Sequence, residues 1–226
     1  MRWLIATHDD LGIIHATNGP VNVFSYVGTT IGENFLENFG SLAPMAGDDG
    51  CAGPEIGNFI TEGSIPCPDG QCDDKYAARF IPTGGILNMI PEADDDAKFI
   101  FAGHSMGGAV SQIASLYGCA VQTSEQKSTK NTYVMTFGAP AVFSEDVVEK
   151  YNAIFPDSSS MRVEMKGDPI PAFGRGVQAG TSFGLDGGFP DVDVDDFTEG
   201  GEFSIAGMAL AAHSVAGYVS HFPSLF

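Results

Sequence analysis

The spacing between hydrophobic residues changes several times along the chain. Short runs of β-branched and aromatic residues, bounded by turn-forming residues, predict strands at 3–6, 13–16, 21–26, 99–101, 133–137 and 161–165. The first three are separated only by the turns "HDDLG" and "TNGP", and this spacing is typical of a meander.

Two later segments have helical periodicity. Apolar residues recur every three or four positions from Ala109 to Tyr117, directly after the strand predicted at 99–101. The second segment, "SEDVVEKYNAIF", begins with Ser144 as a capping residue, and the acids that follow suit a first helical turn. Because strands and helices alternate in this part of the chain, the sequence predicts an α/β domain with a largely parallel central sheet.

The length of the chain limits the number of domains. With 226 residues, of which 43% are hydrophobic, the chain can build one sizeable core, and we predict a single domain over residues 1–226. Residues 40–75 are rich in Gly, Pro and Asp with few periodic apolar positions, so we interpret them as a long surface excursion.

Charge and hydropathy exclude several classes of partner. The 29 acidic residues outnumber the 10 basic ones, which gives a formal net charge of −19. Nucleic acid is therefore excluded, because phosphate contacts need clustered Lys and Arg. No apolar run approaches the roughly 18 residues of a transmembrane segment. The first residues lack the apolar core of a signal peptide, so either export is not used or the leader is absent from this chain, and localisation stays open. The acidity fits an extracellular, marine or salt-exposed protein.

The stretch "FIFAGHSMGGAV" contains the clearest candidate for catalysis. A serine hydroxyl becomes nucleophilic when its Oγ is held clear of the chain beside a base that a third group orients. Gly103 and Gly107 flank Ser105 in a G-x-S-x-G pattern and allow a sharp turn from strand to helix, which would leave the serine strained and exposed at the tip. A predicted strand and helix flank the turn in the required order, so Ser105 is predicted to be a nucleophile; without that context the pattern indicates only a turn.

The four cysteines predict one small disulfide loop. Cys67 and Cys72 flank a Pro-Asp-Gly turn in "CPDGQC", with Cys51 as a competing partner. A zinc site is less well supported, because no second close pair of Cys or His accompanies the first. Cys119 ends an apolar helix and is predicted to be a buried thiol.

Five segments follow one another in the order "VFSYVGTTIGENFLENF", "GHSMGGAV", "TYVMTFGAP", "MRVEMKGDPIPAFG" and "HSVAGYV". Together they resemble the ordered motifs of the class 3, fungal-type lipases, from about residue 20 to about residue 220. The resemblance implies the α/β-hydrolase fold, in which helices flank a central, mostly parallel sheet, and an ester hydrolase activity.

The resemblance also implies a catalytic triad in the chain order Ser, Asp, His. Ser105 takes the position of the nucleophile. Asp168, which follows a predicted strand and precedes Pro-Ile-Pro, takes that of the acid, with Asp186 and Asp191 still open. His213 in "HSVAGYV" takes that of the base. Of the other histidines, His8 and His15 lie in the meander. His104 adjoins the serine, but its side chain is predicted to point elsewhere. His221 is predicted to be solvated.

The segment after the third strand implies an oxyanion hole and a lid. The backbone N–H groups of Thr29 and Met106 would stabilise the oxyanion, and Val27 stands where the family usually has arginine. An apolar stripe in "IGENFLENF" has the family position of a mobile cover that opens on lipid, although its periodicity fits a surface helix equally well. The residues assigned to the lid or to substrate binding are Ile31, Phe35 and Leu36.

An acidic segment, "DVDVDDFTEGGE", has acids at positions 1, 3, 5, 9 and 12 of an EF-hand-like calcium loop. Asp196 stands where such a loop has a glycine, and the alternative is a solvated acidic loop. The candidate calcium ligands are Asp191, Asp193, Asp195 and Glu202.

The predicted function is hydrolysis of acylglycerols or related lipid esters by a lipase or esterase, through an acyl-enzyme at Ser105. The expected partners are a lipid or small ester substrate and a transient lipid–water interface. No cofactor is required, and a calcium ion in the acidic segment would be structural. The alternatives are a phospholipase A, a thioesterase or an acyltransferase that uses the same site, or a non-catalytic protein that binds lipid or calcium.

Overall fold

A computed structural model describes residues 3–8, 13–28, 96–124, 129–141, 143, 145–172, 177–188 and 211–221. The strands are β1 Leu4–His8, β2 Ile13–Asn18, β3 Val21–Tyr26, β4 Lys98–His104, β5 Thr132–Phe137, β6 Ser160–Met165 and β7 Thr181–Leu185. The helices are α1 Met106–Ser124, α2 Glu145–Ile154 and α3 Val215–His221, with 3-10 turns at Thr129–Asn131 and Ile170–Ala172. The six strands and two helices predicted from periodicity are confirmed, and β7 and α3 are additional.

The strands form one seven-stranded sheet in the order β1-β2-β3-β4-β5-β6-β7. The first three are antiparallel, which confirms the meander, and every later pair of neighbours is parallel. The register pairs Tyr26 with Gly103 and His104 with Phe137. The carboxyl ends of β3, β4 and β5 therefore lie side by side, at the edge where α/β sheets place their functional sites.

Helices pack on both faces of this sheet. Val134 and Phe137 of β5 lie on opposite faces, because side chains alternate along a strand. Val134 belongs to a buried cluster with residues of α1 and α2. Phe137 packs against the cluster that contains Tyr218 of α3. Within the described residues, the architecture is the predicted central, mostly parallel sheet flanked by helices.

Buried aromatic side chains hold the meander to the rest of the sheet. Phe24 of β3 and Phe101 of β4 are almost completely buried, and their ring centroids are 5.4 Å apart. They belong to one cluster with Ile13 of β2 and with Val110 of α1. Burial of each large apolar side chain contributes about 1.5–3 kcal/mol to the free energy of unfolding, so this cluster fixes β3 beside β4.

Small residues, and polar residues whose hydrogen bonds are formed within the protein, allow α1 to lie close to the sheet. The buried hydroxyl groups of Ser111 and Ser115 donate to backbone carbonyl groups three residues earlier in the helix, at 2.7 Å in both cases. Gln112 donates to the carbonyl group of Ala179, just before β7, at 3.2 Å. Each of these buried polar groups has a partner, so their desolvation cost is offset.

The cysteine predictions have different outcomes. Cys119 is buried in α1, as predicted, and burial raises the pKa of its thiol to about 12. Cys51, Cys67 and Cys72 lie outside the described residues, as does the excursion predicted at 40–75. In the part of the chain that is described, no helix is both long enough and apolar enough to cross a membrane.

Candidate active site

Ser105 occupies a sharp turn between β4, which ends at His104, and α1, which begins at Met106. Its φ angle is +58°, and no other non-glycine residue in the described ranges has a positive φ. The left-handed conformation costs an L-residue about 1–2 kcal/mol. The turn is fixed by two hydrogen bonds, in which the Ser105 N–H group donates to the Phe137 carbonyl group at 2.8 Å and the Gly108 N–H group donates to the Ser105 carbonyl group at 2.9 Å. The predicted backbone strain is therefore present.

The end of β3 packs directly against this turn. A Cβ atom at Gly107 would lie 2.8 Å from the backbone carbonyl carbon of Val27, closer than real Cβ contacts, so position 107 requires glycine. A Cβ atom at Gly28 would lie 3.2 Å from the Cβ atom of Ser105. Thr29, the predicted oxyanion residue next to Gly28, lies outside the described residues.

The predicted exposure of Ser105 is wrong. The residue is only 2% exposed, because the end of β3 packs against the turn and α1 begins immediately after it. Within the described residues its Oγ has no hydrogen-bond partner. A buried hydroxyl group without a partner is unfavourable for stability.

Asp168 and His213 form a buried pair at the same edge of the sheet. The Nδ1 atom of His213 lies 3.0 Å from Oδ1 and 2.9 Å from Oδ2 of Asp168. The side chain of His213 is 5% exposed and that of Asp168 is fully buried. A hydrogen bond from Nδ1–H to a carboxylate selects the tautomer in which Nε2 of a neutral imidazole accepts a proton.

Two further groups hold the carboxylate of Asp168. The Tyr218 hydroxyl group donates to Oδ2 at 2.6 Å, and the Ile170 N–H group donates to Oδ1 at 2.9 Å. The same tyrosine oxygen accepts a hydrogen bond from the Met165 N–H group at 3.0 Å. Burial, together with the nearby charge of Asp168, raises the pKa of Tyr218 well above its usual range, so the phenol stays a donor. The carboxylate is thereby fixed in orientation relative to His213.

Two contacts connect this pair to the serine turn. Phe137, whose carbonyl group accepts the Ser105 N–H group, is followed by Gly138 with φ +55°. A Cβ atom at Gly138 would lie 2.8 Å from the Tyr218 hydroxyl oxygen and 3.1 Å from Nδ1 of His213, so only glycine fits there. The ring of His104, the residue before the serine, packs on the ring of His213 with centroids 4.5 Å apart. The strained serine therefore follows directly after a residue whose ring contacts the histidine of the buried acid–histidine pair.

Residues 83–175 match the family described as lipase (class 3). Over these residues the chain is similar to the class 3 lipases. The match includes Ser105 and Asp168 and ends before His213. No curated protein matches the chain in sequence.

Solved lipase structures share the fold of the chain. A fungal lipase in complex with an inhibitor aligns with a TM-score of 0.57 and 16% identity, over 96% of this chain and 81% of that one. A Rhizomucor miehei lipase propeptide complex aligns with a TM-score of 0.53 and 16% identity, over 81% of this chain and 55% of that one. A triacylglycerol lipase described as having a serine protease triad at its catalytic centre aligns with a TM-score of 0.51 and 17% identity, over 93% of this chain and 75% of that one. The predicted α/β-hydrolase fold is confirmed, and the chain spans about 55% of the length of the Rhizomucor miehei chain.

Some of the residues implied by the class 3 lipase resemblance are described and others are not. Met106 is buried at the start of α1, directly after Ser105. The exposed Asp186 accepts a hydrogen bond from the Gly188 N–H group at 3.1 Å and takes no part in the histidine pair, so Asp168 is the better candidate for the acid. The lid residues Ile31, Phe35 and Leu36 and the calcium candidates Asp191, Asp193, Asp195 and Glu202 lie outside the described residues. Among the described residues, no group of three or more His, Cys, Asp or Glu side chains is placed to hold a metal ion.

The other described histidine rings have different environments. His15 stacks on Phe24 with ring centroids 4.6 Å apart, as part of the meander. His221 is exposed, as predicted, and its Nδ1 lies 2.9 Å from the Gly217 carbonyl oxygen. The contact between His104 and His213 was not predicted, because nothing in the sequence near residue 104 indicates a partner 109 residues away.

Proposed function

We propose that this protein is a serine hydrolase that cleaves carboxylic esters, as a lipase or carboxylesterase, with Ser105 as nucleophile, His213 as base and Asp168 as the acid that orients it. The observation that carries the proposal is the strained, buried Ser105, whose Oγ has no hydrogen-bond partner in the described part of the chain and which directly follows a residue in ring contact with the Asp168–His213 pair. The class 3 lipase match over residues 83–175 supports the same chemistry.

The proposed reaction has two halves. In the first, Nε2 of His213 takes the proton from Ser105 as Oγ attacks the ester carbonyl carbon, and it then donates that proton to the departing alcohol. An acyl-enzyme ester on Ser105 remains. In the second half a water molecule gives a proton to Nε2 of His213 as it attacks the acyl carbonyl carbon. The bond between that carbon and Oγ then breaks, His213 returns the proton to Oγ, and the acid leaves. Asp168 keeps the proton on Nδ1 and stabilises the imidazolium ion, so the reaction needs no cofactor.

The developing negative charge on the carbonyl oxygen needs donors that are already in place. We assign this role to the backbone N–H groups of Met106, which follows the nucleophile, and of Thr29, which follows Gly28. The position of Gly28 supports this assignment, because a Cβ atom there would lie 3.2 Å from the Cβ atom of Ser105. Removal of one such donor typically costs about 10²–10³-fold in kcat.

Exposed apolar residues on the segments that follow β3 and His213 support a lipid ester as substrate. Val27, before Gly28, is 50% exposed, and Val215 and Val219, one turn apart on α3, are 56% and 71% exposed. An apolar acyl chain gains about 25 cal/mol for each Å² of apolar surface that it removes from water. We therefore propose acylglycerols or related lipid esters, at a lipid–water interface, as the substrate class.

A fluorophosphonate probe tests the proposal directly. We expect it to add one phosphonyl group to the peptide that contains Ser105, measured by mass spectrometry, and we expect hydrolysis of nitrophenyl esters and glycerides to stop in parallel. Matched phospholipid and thioester substrates separate the related acyl chemistries. A folded protein that is neither labelled nor active would contradict the proposal and would favour a non-catalytic binding protein.

The proposed lid makes a separate prediction, which distinguishes a lipase from an esterase. If the apolar stripe covers the site in water, opening the lid exposes a few hundred Å² of apolar surface. At roughly 25 cal/mol per Å² this costs several kcal/mol, unless the exposed surface is buried in a lipid–water interface. The rate on a short-chain glyceride should therefore rise steeply once droplets form. Replacement of both Phe35 and Leu36 by serine should flatten that rise and increase the rate on dissolved substrate. If the rate of the unmodified enzyme instead follows ordinary saturation as the substrate concentration passes the solubility limit, the lid hypothesis would be wrong and the protein would be an esterase.

A further inference from the structure

His104 contacts both the backbone and the ring of His213. Its Nε2–H group donates to the His213 carbonyl oxygen at 2.6 Å. Its ring also packs on the His213 ring with centroids 4.5 Å apart and an interplanar angle of 34°. One side chain therefore restrains the proposed base in two ways, and that side chain belongs to the residue immediately before Ser105.

Other hydrogen bonds in the described part of the chain also hold the segment around His213. Local hydrogen bonds shape the chain, since Ser214 donates from Oγ to the Ala211 carbonyl group at 2.8 Å and accepts from the Gly217 N–H group at 2.9 Å. Asp168 and Tyr218 hold the ring edge and the start of α3 to β6. The His104 hydrogen bond differs from these in that it runs from the His213 backbone to the strand that carries Ser105.

The environment of His104 keeps its ring uncharged. Burial and the adjacent His213 lower its pKa to about 4, and the opposing effects of the His213 carbonyl group and of Asp168 are smaller. The edge of the Tyr218 ring also faces it, with centroids 5.6 Å apart. Above about pH 5 the neutral ring donates from Nε2 and adds no positive charge next to His213 when that residue accepts the serine proton.

We infer that His104 is a positioning residue, which ties His213 to the nucleophile strand through its hydrogen bond to the His213 carbonyl oxygen and so sets the distance between base and serine; the inference rests on the proposed function. The expected consequence is selective. Displacement of a catalytic group by about 1 Å can cost roughly 10²-fold in rate, while substrate binding away from the reacting atoms is unchanged.

Two substitutions separate the donor from the ring. His104→Phe retains an aromatic ring but removes the donor, and we expect kcat and the rate of fluorophosphonate labelling to fall roughly 10- to 100-fold with little change in KM. His104→Gln retains an N–H donor at similar reach and should recover most of that loss. His221→Ala, a change of an exposed histidine on α3, is the matched control. Thermal unfolding of all three variants shows whether they are folded.

Histidine-ring NMR supplies a readout that is independent of turnover. In the unmodified protein we expect the His104 ring to stay neutral, with its proton on Nε2, down to about pH 5. Titration of His104 near the ordinary pKa of histidine, equal losses in the Phe and Gln variants, or full activity in a folded Phe variant would each overturn the positioning role. An unmodified protein that is inactive and unlabelled would instead overturn the proposed function, and this inference with it.

Discussion

Replacement of Ser105 by alanine is expected to lower kcat for ester hydrolysis by roughly six orders of magnitude, because no other group can form the proposed acyl-enzyme. Binding and the oxyanion donors would still leave about 10³- to 10⁴-fold acceleration over water. The measurement is a turnover assay on a nitrophenyl ester, with the fluorophosphonate probe as a check on contaminating hydrolases. Activity within about a hundredfold of the unmodified protein would contradict the assignment of Ser105.

The same substitution should not unfold the protein. Alanine removes a buried hydroxyl group that has no partner in the described part of the chain, so the free energy of unfolding should stay constant or rise slightly. The backbone strain at φ +58° persists with alanine and disappears with glycine. Ser105→Gly should therefore be about 1 kcal/mol more stable than Ser105→Ala and equally inactive, as denaturant unfolding would show.

Replacement of His213 by alanine is expected to lower kcat about as far as loss of the serine does, because members of a triad act as one unit and their effects do not add. The folded state should also lose stability, since the buried carboxylate of Asp168 would lose one of its hydrogen-bond donors and, among the described residues, retain the Tyr218 hydroxyl and Ile170 N–H groups. A hydrogen bond to a charged group contributes about 1.5–3 kcal/mol.

His221→Ala is the control for this loss. His221 is exposed near the end of α3, so its replacement should change the free energy of unfolding by less than about 0.5 kcal/mol and leave kcat near that of the unmodified protein. Circular dichroism of both variants before the assay distinguishes lost chemistry from lost structure. If His221→Ala were inactive and His213→Ala active, the assignment of the base would be wrong.

Features that depend on neighbouring residues could be predicted from the sequence. The strands and α1 follow from local periodicity, and the strained turn at Ser105 follows from glycines two residues away on either side. Strand β7 was missed because Gly184 interrupts "TSFGL" and its first four residues are exposed, so it has no alternating apolar pattern. Its edge position in the sheet, beside β6, explains that exposure.

Features that depend on distant residues could not be predicted. The burial of Ser105 results from packing of the β3 end against the turn, and the sequence does not show this contact. The hydrogen bond from Tyr218 to Asp168 joins residues 50 positions apart in the sequence. The hydrogen bond from His104 to His213 joins residues 109 positions apart. Gly138 had one weak signal, the "FGAP" that follows β5, but its role depends on side chains from two other segments. The catalytic roles of these groups, the oxyanion pair, the lid and the calcium loop remain predictions.

The pairing of β3 with β4 has a consequence for how such a protein can diversify. These strands are neighbours in the sheet, with Tyr26 opposite Gly103, although residues 27–97 lie between them in the chain. The ladder, and not the connecting chain, sets the distance between Gly28 and Ser105. Doubling the length of a flexible connection costs only about 0.6 kcal/mol in closure entropy. Mutation or recombination can therefore lengthen, shorten or exchange the part of this connection beyond Gly28, while the distance between Gly28 and Ser105 is inherited unchanged.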